Sequence, residues 1–425
     1  MKVHLVVFLI FWLGFFGCKK DDGSVPEEIA LQNEPPLSFN LMEVPNGATN
    51  IDTRPVLSWG SAKNPKGSGV TYDLYLNEET NPTTIYKSDI SETAFQIEER
   101  LNLISKFYWR VVAKDSNGQS SQSDIHYFTT RNLLIPEQPL QTDIEFPPRV
   151  SQTSLSFKNS LWVMAGFEDS GQIYKDVWNS DTGSTWGEVG NNALIRPKWN
   201  HSSVVYNDQI WILGGRAINE EDNLIITHDV WSSSDGSSWK NLTSYTNFFP
   251  ERVAHTSIVH DNKIFVIGGL NDDPMNDIWQ YDGSWSQVEV SSSVFDERFG
   301  HSSVVFDNKI WVIGGRDDLG RKNDVWYSSD GTNWILATTN ADFPPIAFHE
   351  SVVFGGKMWI VSMDGQTDKY WHSDNGIDWL SIDLPEEMYG RYGQTATVHD
   401  DKLYLIGGVI DRMNEEVVNH VWILE

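Results

Sequence analysis

From about residue 40 to the carboxy terminus, apolar and polar residues alternate at period two in short runs, and helical spacing is nearly absent. Such alternation predicts strands, and the Asn, Asp and Gly residues that interrupt it predict tight hairpins. The stretch from His301 to Trp334 shows the unit most clearly. HSSVVF meets the polar turn DNK, KIWVIGG ends in paired glycines, a variable loop follows, and NDVWYSS leads through Asp330-Gly331 to Trp334. Four antiparallel strands, a to d, are expected. A sheet of this kind is apolar on both faces, so it is stable only when stacked between copies of itself.

The copies align in register. Strand a begins at Gln152, His201, His255, His301, His349 and Gln394, a period of 45 to 54 residues. Strand b closes on Gly214-Gly215, Gly268-Gly269, Gly314-Gly315 and Gly407-Gly408; Ala165-Gly166 nearly matches, and Ser362-Met363 does not. A strand-c tryptophan recurs at Trp178, Trp231, Trp279, Trp326, Trp371 and Trp422, and a second follows at Trp186, Trp239, Trp285, Trp334 and Trp379. This pattern resembles the kelch repeat family, and the resemblance implies a six-bladed β-propeller over residues 138–425. The last copy stops three residues after Trp422, before a strand d, so residues 139–146 are expected to supply that strand and latch the ring.

Upstream, Arg54–Trp59, Thr71–Leu76, Phe107–Ala113 and His126–Thr130 alternate as strands. They resemble a fibronectin type III sandwich over residues 37–132, with Phe107 where that family has a corner tyrosine. The predicted fold class is therefore all-β, a fibronectin type III-like sandwich followed by a six-bladed kelch propeller. Residues 1–17 carry Lys2 and an unbroken apolar run, the pattern of a signal peptide. Phe15-Phe16-Gly17-Cys18 resembles the lipobox of Bacteroidetes-type lipoproteins, and Lys19-Lys20-Asp21-Asp22 resembles their surface-export tag. Lipidation at Cys18, a flexible tether over 18–36 and exposure on the outer membrane are the expectations.

Composition narrows the function. A formal charge of −28 argues against nucleic acid, whose phosphates require a basic surface. The single cysteine excludes an intrachain disulfide. It also excludes the chemistry of galactose oxidases, which resemble this fold but need a cysteine crosslinked to tyrosine beside copper. No cofactor, metal site or catalytic constellation is expected. Equivalent positions on separate blades stand too far apart for His201, His255, His301 and His349 to share zinc, and each is expected to hydrogen-bond a neighbour.

Basic residues gather at the connections that a propeller places on its top face. Arg149, Lys198, Arg252, Arg298 and Arg391 precede strand a by three residues, with Ile346 in blade five. Arg216 and Arg316 directly follow a glycine pair. These seven residues are candidate anchors for an anionic glycan or a protein partner, and blade staples are the structural alternative for the first five. The segment Arg216 to His228, with Glu220, Glu221 and Asp222 beside Leu224-Ile225, is read as a lid. Blade five breaks the repeat at Ile346, Phe348 and Met363. The function expected is ligand binding at a cell surface; the alternative is a carbohydrate-active propeller, mutarotase-like or sialidase-like, with Tyr389, Tyr392, Glu386, Glu387 and Arg196 as sialidase-like residues.

Overall fold

The computed structural model describes residues 34–425 except 68, 169, 191–195, 244–247, 292, 362–367 and 411–414. Cys18, the leader, most of the tether and Ser362-Met363 lie outside the described residues. The described residues are all-β apart from one short 3₁₀ turn at Glu386–Met388.

The amino-terminal unit packs two sheets of unequal size. In the larger, Lys106–Asp115 lies between Val70–Asn77 and His126–Thr130, with Ile85–Ile90 and Ala48–Ile51 at the edges. The smaller pairs Val56–Ser58 with Ala94–Gln96. Strict alternation along Lys106–Asp115 sends Phe107, Trp109, Val111 and Ala113 inward. They meet Trp59, Leu57 and Tyr72 in one core. Phe107 stacks on Phe128 with ring centroids 6.0 Å apart.

Six sheets follow. Their innermost strands are Thr153–Phe157, Ser202–Tyr206, Thr256–His260, Ser302–Phe306, Glu350–Phe354 and Thr395–His399. Each packs against the next, and the last packs against the first, so the sheets close into a ring. Sheets one to five run outward as a to d in chain order. Between neighbours lie separate cores, such as Trp311, Ile313, Met358, Ile360 and Trp379 between sheets four and five.

Among the described residues, sheet six is formed by Thr395–His399, Lys402–Ile406 and Val421–Leu424. Its outer edge is taken by residues 134–141. Leu134 N–H donates to Glu425 O at 2.7 Å, and Val421 N–H donates to Gln141 O at 3.0 Å. The latch therefore lies about five residues earlier than the expected 139–146. Ile144 and Phe146 instead fill the core between sheets six and one, with Trp186 and Tyr404. Leu133 joins the core between sheets five and six, so the two units are joined without a loose linker.

The amino-terminal unit docks on the ring at the inner hairpin turns of sheets five and six, opposite the strand-a starts. Arg100 lies over Phe354 at 4.6 Å and pairs with Asp401 at 3.2 Å, and Arg54 pairs with the same carboxylate. Leu103 N–H donates to Gly355 O at 2.8 Å. Four of the five corresponding turns place Asn and Asp at left-handed φ, as Asn207-Asp208 and Asp307-Asn308 do, and sheet one has Lys158-Asn159. Gly355-Gly356 is glycine for a different reason. A Cβ on Gly355 would stand 2.6 Å from Leu103, and one on Gly356 would stand 2.2 Å from Asn102.

Candidate functional site

The six strand-a starts converge on the axis and wall a cavity of about 260 Å³ at the channel mouth. Its wall repeats with the sequence. The first strand-a residue is Thr153, Ser202, Thr256, Ser302, Glu350 and Thr395 in turn, a hydroxyl in every sheet but the fifth. The preceding histidine of the next sheet closes four of the six junctions: His201 Nε2 on Thr153 Oγ1 at 3.0 Å, His255 on Ser202 at 2.8 Å, His301 on Thr256 at 3.0 Å and His349 on Ser302 at 2.8 Å. The histidines thus hydrogen-bond their neighbours. Among the described residues no group of three or more His, Cys, Asp or Glu side chains is placed to hold a metal ion. Burial, aided by Lys198 and Arg298 respectively, pushes His201 and His301 down to about 3, and burial alone does the same to His349. His255 is also pushed well down, by burial and then Arg252. All four line the junctions as neutral rings.

The glycine pairs and the histidines prove to be one interaction. Gly215, Gly269 and Gly315 adopt φ of +97°, +113° and +98°. A Cβ there would stand 2.7–2.8 Å from Cβ of His201, His255 or His301. Only glycine combines that backbone with that approach.

The basic set divides. Arg149, Lys198, Arg252 and Arg298 are 0% exposed. Arg298 forms a two-pronged pair with Asp324 at 2.9 and 2.7 Å and donates to Gly314 O at 2.8 Å. Arg149 with Asp176, Lys198 with Asp229 and Arg252 with Asp277 repeat the arrangement. Burial alone pushes the carboxyls of Asp277 and Asp324 up, but the paired guanidinium outweighs it and holds both below the usual carboxylate range. These four cations are saturated inside their own sheets and present no donor to a ligand. The expectation that they anchor one is corrected: they are staples, because a buried guanidinium requires a fixed counter-charge. Arg391 is also largely buried, with Nη2 3.1 Å from His420 Nδ1.

In sheet five both partners change together. Ile346 stands in the arginine position, buried in the core, and Lys369 stands in the aspartate position. The same sheet carries the two departures in the channel wall. Phe348 is 49% exposed at φ +55°, a conformation costly for a bulky residue, where its sisters are Ser151, Asn200, Ala254, Gly300 and Gly393. Glu350 replaces the hydroxyl, and the positions it faces in sheet six are Gln394, turned onto Tyr370, and Ala396. Burial pushes its carboxyl up to about 8.

Arg216 and Arg316 remain part-exposed on the rim. Neither forms an ion pair among the described residues. Arg316 lies 5.5 Å over Phe299, whose ring meets Phe348 edge-on at 5.9 Å. The expected lid is a rigid hairpin: Gln209–Ile218 and Leu224–Ser233 pair through Arg216 opposite Ile226 to Ile218 opposite Leu224. Its length keeps backbone groups paired that a loop would leave to water. The sialidase-like residues are not brought together. Arg196 lines a cleft on sheet two with His228 and Glu251, whereas Tyr389 packs against the core between sheets five and six. Glu350 was missed in the sequence, although the aligned strand-a starts show one carboxylate among five hydroxyls.

A family profile described as the KLHDC2/KLHL20/DRC7 Kelch-repeats domain matches residues 110–283 and 226–408. The tRNA wybutosine-synthesizing protein 2/3/4 of Oryza sativa subsp. japonica is 29% identical over 160 residues, 36% of this chain and 15% of that protein. Kelch repeat protein M-T8 of Myxoma virus (strain Lausanne) is 29% identical over 125 residues, 29% of this chain and 23% of that protein. The chain thus spans between 11% and 23% of the length of the curated relatives it matches. The solved structure of YjhT superposes with a TM-score of 0.54 at 16% identity, covering 67% of this chain and 99% of that one, a likeness of fold.

Proposed function

The chain belongs to the kelch-repeat family, and on that premise we propose that it is a surface-exposed outer-membrane lipoprotein whose six-bladed propeller binds a glycan at the channel mouth. The observation that carries the reading is the division of the basic residues. Four are consumed as staples, while Arg216 and Arg316 are left on the rim without a carboxylate. A guanidinium beside an aromatic ring suits an anionic substituent on a ligand. The amino-terminal unit, read as a fibronectin type III-like spacer, grips the face opposite the mouth. A lipid on Cys18 would then approach through the spacer and leave the mouth turned outward.

A protein partner is the second reading. It is favoured by Leu319, 97% exposed at the tip of the hairpin that follows Arg316 and flanked by Asp317 and Asp318. Catalysis is not required by either reading. Glu350 is the one carboxyl among the residues lining the cavity, and glycoside hydrolysis uses two.

The test is a glycan array probed with wild type and an Arg216→Ala, Arg316→Ala double variant. Wild type should bind acidic glycans, and the double variant should melt normally yet bind more weakly by ~1.5–3 kcal/mol per charged hydrogen bond. A double variant that melts many degrees lower would make these arginines structural. Cys18→Ser should release the protein from membranes; retention after a salt wash would remove the lipoprotein reading.

A further inference from the structure

The rim arginines explain how charge is met at the mouth but leave the interior of the channel unassigned. That interior is polar, with Glu350 its single carboxyl among the lining residues. Hydroxyls of all six sheets line it, and the histidines behind them are held neutral. Four junctions are closed by a histidine–hydroxyl hydrogen bond. The junction between sheets five and six is not. There the hydroxyl is replaced by Glu350, the histidine by Gln394 and the next hydroxyl by Ala396. The change at Ala396 matters, because Ser257, Ser303 and Ser351 each bond the hydroxyl of the preceding sheet at 2.6–2.7 Å. Glu350 therefore projects a carboxyl with no partner among the described residues at a junction that no histidine closes; the other such junction, between sheets six and one, holds Gln152, whose Nε2 donates to Ile406 O at 2.9 Å.

Two residues earlier on the same segment, Phe348 holds its ring toward the same cavity. It does so from a left-handed backbone that two sister sheets assign to glycine, Gly300 and Gly393. Its N–H continues a chain of backbone bonds around the mouth, from Gly300 O to Ala254 and Asn200. The backbone conformation is common to the ring, and the aromatic side chain in that conformation belongs to sheet five. Local strain and an exposed aromatic ring at one place are maintained against folding stability, which points to a ligand.

We propose that Phe348 and Glu350 form a subsite for one neutral polyhydroxylated ring, a sugar, with Phe348 as the stacking face and Glu350 as the hydrogen-bonding anchor. Three observations select this chemistry. The wall offers hydroxyl donors and acceptors and, Glu350 apart, no acidic or cationic Lys or Arg side chain, which matches a polyol. At about 260 Å³ the cavity lies just below the ~300–1,000 Å³ of drug-sized ligand sites and suits one ring rather than a peptide. An aromatic face beside a carboxyl presents apolar and hydrogen-bonding surface together, as the two sides of a sugar ring require. The proposal rests on the reading of the mouth as the binding face, and it assigns an additional, uncharged step of that site.

The experiment is ligand-observed NMR on the full chain with free neutral hexoses and N-acetylhexosamines, with glycerol and a hexuronate as controls. A neutral monosaccharide should show saturation transfer that glycerol lacks. Glu350→Ala should weaken it by about tenfold, while Glu350→Gln, which retains hydrogen bonding, should remain close to wild type. Phe348→Gly should abolish the signal and leave the melting temperature unchanged or raised, because it relieves the backbone. If no neutral sugar binds, or if Phe348→Gly lowers the melting temperature and spares binding, the subsite is wrong. Loss of array binding in the arginine double variant alone would leave the rim reading standing without it.

Discussion

Sheets four and five share the same inner-strand pattern, and they differ where each touches something beyond itself. Sheet four has the buried Arg298–Asp324 pair, Gly300 at the mouth, Ser302 in the hydroxyl belt and Asp307-Asn308 in its inner turn. Sheet five has Ile346 with Lys369, then Phe348, Glu350 and Gly355-Gly356. The first difference is compensated internally, since a core side chain replaces a staple while the cation moves to solvent. The others are compensated by neighbours: the cavity for Phe348 and Glu350, and the amino-terminal unit for the glycines. In a ring where each sheet contacts only two others, one member can lose regular features while the remainder hold the fold.

The largest expected effect comes from opening the ring. Deleting residues 133–141 strips sheet six of its outer strand and removes Leu133 from the core between sheets five and six. Calorimetry should then show no cooperative transition for the ring. A normal melt would mean that closure is carried by the inner strands alone.

The staple comparison is sharper. Arg298→Ala leaves the Asp324 carboxylate buried without a counter-charge and should cost ~3–5 kcal/mol in chemical denaturation. Arg298→Ile with Asp324→Lys copies sheet five and should cost clearly less than that single change. If the double variant is the worse of the two, sheet five owes its tolerance to its surroundings and not to the exchanged pair.

Next is the docking turn. Gly355→Asn with Gly356→Asp installs residue types that sister turns carry at the same φ, so any loss reports the approach of Leu103 and Asn102 and not the backbone. The expected outcome is two separate melting transitions, with faster proteolysis near residues 131–133. A single transition at the wild-type temperature would show that the interface relaxes around the new side chains.

Acid and alkali should act on different sheets. The histidine pKa values of about 3 at His201, His301 and His349 lie below the unfolded value of 6.5. Their contribution is therefore complete above pH 6.5 and is lost as pH falls toward 3. Glu350 works in the opposite sense. Raised from 4.5 to about 8, its carboxyl favours the folded state below pH 4.5, and that contribution is lost as pH rises through 8. Glu350→Gln should flatten the decline between pH 4.5 and 8, by on the order of 1–3 kcal/mol, and leave the acid limb unchanged. An unchanged alkaline limb would place the carboxyl in open water.

Much of this protein is determined by local pattern. Period-two alternation, Asp and Asn turns, paired glycines and spaced tryptophans specify strands and their repeat, because each is a property of a few adjacent residues. What sequence alone left open was the environment of each repeated residue. Arg298 and Arg316 are both arginines near a glycine pair, yet one is sealed against Asp324 and the other lies over Phe299 on the rim. Gly355-Gly356 reads as one more tight turn until Leu103, some 250 residues earlier in the chain, is seen resting on it. Glu350 reads as one polar residue among hydroxyls until six strands converge and leave it facing Gln394 and Ala396. Strand formation is decided by neighbours in the chain, whereas charge pairing, desolvation and close approach are decided by neighbours in space, and those exist only once the ring has closed.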